Sequence, residues 1–344
     1  TLPIVQISPG GRFVVPIVVS DVTDVALTAA DLVLTYDPGV VTFVEGPVRV
    51  SVPATSANLG PGFDSLGLAL ALFDDLEGEV LASGLVVEVE GAGAGEVPLD
   101  ESHLVVRSMR AAFELLGEQP PGLRLACRNV VPHARGLGSS SAAIVGGVVL
   151  ARALVAGGEL LLDDDSLLRL AAGLEGHPDN VAPALFGGFV VSGQEAGEFY
   201  AVPSAVAPRV GAVVLVPPTP VSTEMARGLL PDSVPHADAA ADAGRAALLV
   251  AALAGQPEHL LLATRDYLHQ SYRRPAMPES LALVEELRAD GVPAVVSGAG
   301  PTVLAFTDGP DGATTRAVLG RTPQGWWSSH LAVDTSGATV RPSA

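Results

Sequence analysis

Pro132-His-Ala-Arg-Gly-Leu-Gly-Ser-Ser-Ser-Ala-Ala-Ile-Val-Gly-Gly147 is the stretch whose reading decides the fold. It is a glycine-serine loop running straight into an apolar segment. Gly136 and Gly138 remove side chains where a backbone turns sharply or comes close to a ligand. Ser139, Ser140 and Ser141 bring hydroxyls and N-cap chemistry to a helix start. Ala142–Leu154 is almost wholly apolar, which predicts a helix buried on most sides. At such a helix start, free N–H groups and the positive end of the dipole converge, and an anion is stabilised there. A phosphate-binding loop and an ordinary loop before a well-capped core helix both fit this stretch taken alone.

Working outward, all 19 basic residues other than histidine are Arg, and no Lys occurs in the 344-residue chain. A Walker loop needs its Lys on the phosphates, and Schiff-base chemistry needs a lysine amine; both are excluded. A 48% apolar composition supplies a large core, and the length suggests two domains or one two-lobed enzyme. The net charge of −19 argues against nucleic acid and anionic membranes as partners. The single cysteine, Cys127, rules out an internal disulfide framework and fits a reducing, cytoplasmic setting. Ala142–Val155, the longest apolar run, is interrupted by Gly146-Gly147 and Arg152 and is too short to span a membrane. No basic region followed by an apolar segment marks a signal peptide at the N-terminus.

Residues 1–46 read as an appended β-rich segment, not an independent domain, with strands expected at Phe13–Val19, Asp31–Tyr36 and Val40–Val44. Two or three strands bury too little surface to fold alone. The main body opens with a strand at Val48–Val52, followed by an ordered loop, Pro53-Ala-Thr-Ser-Ala-Asn-Leu-Gly-Pro-Gly-Phe-Asp64. Asn58 and Asp64 in it, each taken alone, read better as turn-forming side chains bonded to their own backbone. Two strands are expected within Glu79–Glu90, a helix at Ser102–Leu116, and a strand at Leu123–Val130. Ser166 is expected to cap a helix at Leu167–Leu174, which ends in Glu175-Gly-His-Pro-Asp-Asn180. That polar cluster sits in an apolar frame, so its groups are paired or functional. Further on, Val210–Val216 reads as a strand, and Ser222-Thr223 caps a helix carrying Arg227. Helices follow at Ala237–Leu253, Pro257–Leu268 and Glu279–Ala289. A second glycine-rich turn, Ser297-Gly-Ala-Gly-Pro-Thr302, precedes the strand Val303–Phe306. The order of elements predicts an α+β fold with antiparallel or mixed sheets.

Together, Pro53–Asp64, Pro132–Ala142, Glu175–Pro183 and Ser297–Thr302 carry a resemblance. From Val48 to about residue 340 the chain resembles the GHMP kinase superfamily, and within it the homoserine kinase branch. The run Ala30-Asp-Leu-Val-Leu-Thr-Tyr-Asp-Pro-Gly-Val-Val-Thr-Phe-Val-Glu-Gly46 resembles a fragment of a cohesin-type β-sandwich. The kinase resemblance implies a two-lobed fold, with an ATP-binding lobe at 47–195 and a C-terminal lobe at 196–344. It implies phosphoryl transfer from ATP to L-homoserine in threonine biosynthesis, and a possible homodimer.

By the same resemblance, Pro132, His133, Ala134, Arg135, Gly136, Leu137, Gly138, Ser139, Ser140, Ser141 and Ala142 wrap the triphosphate, and His103 lies near the adenine. Ser140 and Glu175 hold Mg²⁺. Asn58, Asp64, His177, Asn180 and Thr223 line the amino-acid pocket, where Arg227 and Arg273 take the carboxylate. Asn58 and Asp64 orient the hydroxyl, and Arg135 neutralises phosphoryl oxygens. His103, where relatives carry Asn, and Ser271, where a proline is common, depart from the pattern; Ser271 is expected to loosen the loop that carries Arg273. Two other readings compete. Another small-molecule kinase of the superfamily is disfavoured by the missing Lys and the paired arginines. A non-catalytic binding module through residues 1–46 is disfavoured by the truncated sandwich.

Overall fold

The computed structural model describes residues 41–342. The chain divides into the units Thr1–Thr42 and Phe43–Ala344. The strands expected at Phe13–Val19 and Asp31–Tyr36, and the cohesin-type run up to residue 40, lie outside the described residues. Of Val40–Val44 the described part makes no strand; Phe43 forms an isolated bridge with Val155.

The first sheet is built on a long hairpin, β1 (Val48–Asn58) and β2 (Gly62–Leu81). Sequence reading ended the first strand at Val52, yet β1 continues through the small polar residues to Asn58. Its last nine residues are all buried, so Thr55, Ser56 and Asn58 face protein rather than water. Pro53, which cannot donate to a ladder, sits at a shift of register. β3 (Gly84–Gly91) and β4 (Gly122–Asn129) pair in parallel, flanking α1 (Leu104–Leu116) in sequence.

Next comes α2 (Ser139–Ala153), with ten buried residues and a start three residues earlier than the apolar run alone suggests. Its N-cap is Gly138, at φ 71°, and no side chain caps it. The serines therefore lie inside the first turn rather than ahead of it. The short α3 (Gly158–Leu161) leads to α4 (Asp164–Glu175). Asp163, not Ser166, is the cap of α4; its carboxylate accepts from the Ser166 N–H at 2.8 Å. α5 (Val181–Phe186) then precedes β5 (Phe189–Glu195) and β6 (Glu198–Ser204).

The second sheet is four-stranded and antiparallel. It contains β7 (Gly211–Val216), β8 (Ala294–Val296), β9 (Val303–Thr307) and β10 (Trp327–Leu331), in the order β10-β7-β9-β8. All six residues of β7 are buried. Val214 and Val216 face one core with Leu66, Leu68 and Leu249, and Val213 and Leu215 face another with Leu281, Val284 and Leu287. Between β7 and β8 run α6 (Thr223–Gly228), α7 (His236–Gly255), α8 (Leu260–Ala263) and α9 (Pro278–Ala289). The helix expected over Pro257–Leu268 is cut to a 3-10 turn and the one turn of α8; beyond it the Asp266 carboxylate accepts from the N–H groups of Leu268, His269 and Gln270. After α10 (Ala313–Leu319), the chain returns to the first sheet as β11 (Thr339–Pro342), paired with β1. The seven-stranded first sheet thus takes β6 and β11 from beyond residue 195, and the expected lobe boundary cuts through it.

Candidate active site

Two cavities of about 300 Å³ each adjoin the start of α2, and Ser139 and Ser140 line both. One is lined by apolar Leu76, Val97, Leu104 and Val105 together with His103 and His133. The other gathers Asn58, Glu175, His177, Asn180, Thr223, Arg227 and Arg273. Most of the side chains expected for the two substrates therefore converge on these two spaces.

The loop between them is tied down by its carbonyls. Those of Ala134, Arg135, Gly136 and Leu137 accept from Val221 N–H, Thr302 N–H, Ser297 Oγ and Thr55 N–H respectively. The N–H groups of Gly138, Ser139, Ser140 and Ser141 have no protein partner among the described residues. Four donors thus converge, uncapped, at the positive end of a buried helix, the arrangement an anion requires. Gly136 (φ 75°) passes so close to the third loop that a Cβ there would lie 2.3 Å from the Ser297 carbonyl. At Gly138 it would lie 2.0 Å from Thr55 Oγ1. Leu137 points into the core, and Ser140 and Ser141 both donate to Glu175 Oε1, at 2.6 and 2.9 Å.

Arg135 turns away from both cavities. Its guanidinium donates to the carbonyls of Pro217, His133 and Pro218. It thereby ties the loop to the segment before α6.

The second cavity is built from interlocked charges. Arg227 grips Asp64 with both terminal nitrogens, at 3.0 and 2.6 Å. That fork holds the Arg227 pKa above its usual value against a smaller effect of burial. Asn58, at φ 66°, spends its amide on scaffolding: Oδ1 accepts from Asp64 N–H, and Nδ2 donates to the Gly298 carbonyl, both at 2.9 Å. Arg273 is 1% exposed. Its NH1 donates to Gly298 O at 2.9 Å and to His269 Nδ1 at 3.0 Å, while Nε has no partner. Burial, with the Arg227 charge adding to it, pushes Arg273 down to about 10. Ser271 opens a short 3-10 turn, Ser271–Arg273, that carries this arginine.

His177 Nδ1 lies 2.5 Å from Asp179 Oδ1. Burial works against its charge, but the Asp179 hydrogen bond and carboxylate together raise its pKa above the usual 6.5. Thr55 Oγ1 donates to Asn180 Oδ1 at 2.8 Å and fixes that amide. Asp179, buried and lining the cavity, is a site residue that sequence reading left without a role, although it stands inside the Glu175–Pro183 motif. In the first cavity, His103 is buried with Nδ1 unpartnered among the described residues, and burial, then His133, lowers its pKa.

Comparison with known proteins places this geometry. The model for the GHMP kinases N-terminal domain matches residues 103–188, and that for the GHMP kinases C-terminal domain matches residues 246–320. Neither reaches residues 1–46, and the cohesin-type resemblance is not borne out. A homoserine kinase from Streptomyces coelicolor is 58% identical over 88% of this chain and 97% of its own length. The crystal structure of homoserine kinase from Cytophaga hutchinsonii superposes with a TM-score of 0.75 at 26% identity, covering 87% of this chain and 99% of that one. A putative homoserine kinase from Listeria monocytogenes gives 0.69 at 33%, covering 86% and 100%. With the loop, the two cavities and this likeness taken together, the chain belongs to the GHMP kinases and, within them, to the homoserine kinases.

Proposed function

We infer that the chain transfers the γ-phosphoryl group of ATP to the side-chain hydroxyl of L-homoserine, yielding ADP and O-phospho-L-homoserine for threonine biosynthesis. The observation that carries this reading is the second cavity, which holds charges of both signs and shares its Ser139–Ser140 wall with the nucleoside cavity. An amino acid is a zwitterion and needs both signs, whereas mevalonate or a sugar does not.

In this reading the purine enters among Leu76, Val97, Leu104 and His103, and the phosphates follow the free N–H groups of Gly138–Ser141. Ser140 and Glu175 supply the hard oxygens that suit Mg²⁺, which takes one or two protein ligands and keeps phosphate and water oxygens. Bound there, the ion supplies charge neutralisation to the phosphate oxygens. Arg227 is already engaged by Asp64, so Arg273, which lines the same cavity and has Nε unpartnered, is the cation proposed for the substrate carboxylate. Asp179 and Asp64 supply negative charge for the ammonium group. Asp64, fixed through its N–H by Asn58 and through its carboxylate by Arg227, orients the hydroxyl. The bond from the hydroxyl oxygen to the γ-phosphorus forms as the bond to the β-phosphate oxygen breaks, and the hydroxyl proton is released, finally to water. Alignment and charge stabilisation supply most of the catalysis in such transfers.

A homodimer in a reducing cytoplasm completes the proposal. Cys127 suits that setting as an inert buried thiol, since burial pushes it up to about 12. The test is an ADP-release assay with Mg·ATP on L-homoserine, mevalonate, galactose and L-threonine. Turnover confined to L-homoserine is the expected result, and equal turnover of mevalonate would sink the assignment.

A further inference from the structure

His269 is fully buried and lies against Arg273, which lines the amino-acid cavity. Nε2 lies 2.7 Å from the carbonyl of Gly60, in the loop that follows β1. Nδ1 lies 3.0 Å from Arg273 NH1. The ring stacks at a tilt on Phe63, with centroids 5.3 Å apart. Phe63 in turn faces the guanidinium carbons of Arg227 and Arg273, at 5.4 and 5.6 Å.

The partners decide the tautomer. A guanidinium only donates and a carbonyl only accepts. Nδ1 is therefore the bare acceptor, and the one ring proton sits on Nε2, donated to Gly60. A protonated ring would set a second cation against Arg273 NH1, with both side chains buried. Burial keeps the ring neutral, against the nearby Asp266 carboxylate, whose oxygens are spent on the N–H groups of Leu268, His269 and Gln270. The two hydrogens of NH1 are then both used, one on His269 and one on Gly298 O. With NH1 held at two points the guanidinium plane cannot turn, and its other nitrogens keep a fixed direction.

We propose that His269 is a positioning residue for the reaction: as a neutral acceptor it sets the plane of the Arg273 guanidinium so that its remaining donors meet the carboxylate of the amino-acid substrate. The proposal rests on the reading above that Arg273 receives that carboxylate. It makes His269 a determinant of selectivity for an acceptor bearing an α-carboxylate, without contact between His269 and the substrate.

The test compares the full-length chain with two variants on two acceptors, L-homoserine and 3-amino-1-propanol, which is homoserine without its carboxylate. His269→Gln keeps a donor for Gly60 and loses the acceptor for Arg273. His269→Asn keeps an acceptor near the Nδ1 position and loses the Gly60 bond. The readout is the ratio of kcat/KM on the two acceptors, with the KM for ATP and the melting temperature measured alongside. In His269→Gln this ratio should fall about tenfold or more, mainly through the KM for L-homoserine, as expected when a charge-assisted contact is misaligned. In His269→Asn it should stay within about threefold of the parent. Equal losses on both acceptors, with ATP binding and melting also disturbed, would mean a merely structural histidine and overturn the proposal. If His269→Gln does not fold, His269→Asn decides: a retained ratio supports the proposal, and a tenfold drop refutes it. Arg273→Met separates the two levels. If it leaves the ratio unchanged, the carboxylate reading itself fails. If it collapses the ratio while His269→Gln does not, only the role of His269 fails.

Discussion

The two halves of the site are made of different materials. On the side proposed for the nucleotide, the loop Ala134–Ser141 presents backbone: its carbonyls are bound to the fold, the N–H groups of Gly138–Ser141 have no protein partner among the described residues, and its one cation is turned away onto Pro217 and Pro218. On the side proposed for the amino acid, side chains hold one another: Asp64 with Arg227, His177 with Asp179, Arg273 with His269. Triphosphates offer many equivalent oxygens to any row of donors. An amino acid must be told from its neighbours by where each charge lies, which needs groups locked in direction.

The largest effect that would break this comparison is expected at Gly136. Gly136→Val places a branched side chain at positive φ and against the Ser297 carbonyl, where strain alone costs about 1–3 kcal/mol before the clash is counted. Calorimetric titration with ATP should find no binding and a lowered melting temperature; unaltered ATP affinity would show that loop backbone is not the phosphate receptor.

Asp64→Asn probes the other half. It keeps the shape and weakens the fork to Arg227. If Asp64 accepts the hydroxyl proton, kcat on L-homoserine should fall about 10²–10⁴-fold with the KM for ATP little changed. Near-full turnover would leave Asp64 as an orienting group alone. The smallest catalytic effect is expected from Arg135→Met. Its three carbonyl partners lose their donor, so stability should fall by about 1–3 kcal/mol in chemical denaturation, while kcat stays near that of the parent. A large loss of kcat with stability intact would restore Arg135 to the phosphate side.

The same division governs what could be read from the chain. Gly136, Gly138 and the three serines mark a loop-to-helix junction through spacing, because backbone geometry is a local matter. The reach of β1 to Asn58 was not legible, since Thr, Ser and Asn look like loop residues until their burial is known. The caps of α2 and α4 fell to Gly138 and Asp163 rather than to serines, because positive φ at one and a carboxylate three residues ahead at the other won locally. The resemblance put Arg135 on the phosphates; of its three carbonyl partners, two lie some eighty residues away and were not legible along the chain. Asp179 was visible within a motif but without a role until its contact with His177 appeared.

By itself, the order of residues determined the mixed α and β architecture, the exclusion of Lys-dependent chemistry, the glycine loop, and the set of polar residues from which the pocket is drawn. Periodicity, composition and glycine placement act over a few residues and leave their mark along the chain. Tertiary structure alone decided which charge meets which: that Asp64 occupies the fork of Arg227, that Asn58 serves Gly298, and that buried His269 takes one tautomer between Gly60 and Arg273. Those pairings join residues up to 240 positions apart, and their strength depends on burial and direction, neither of which exists until the chain has folded.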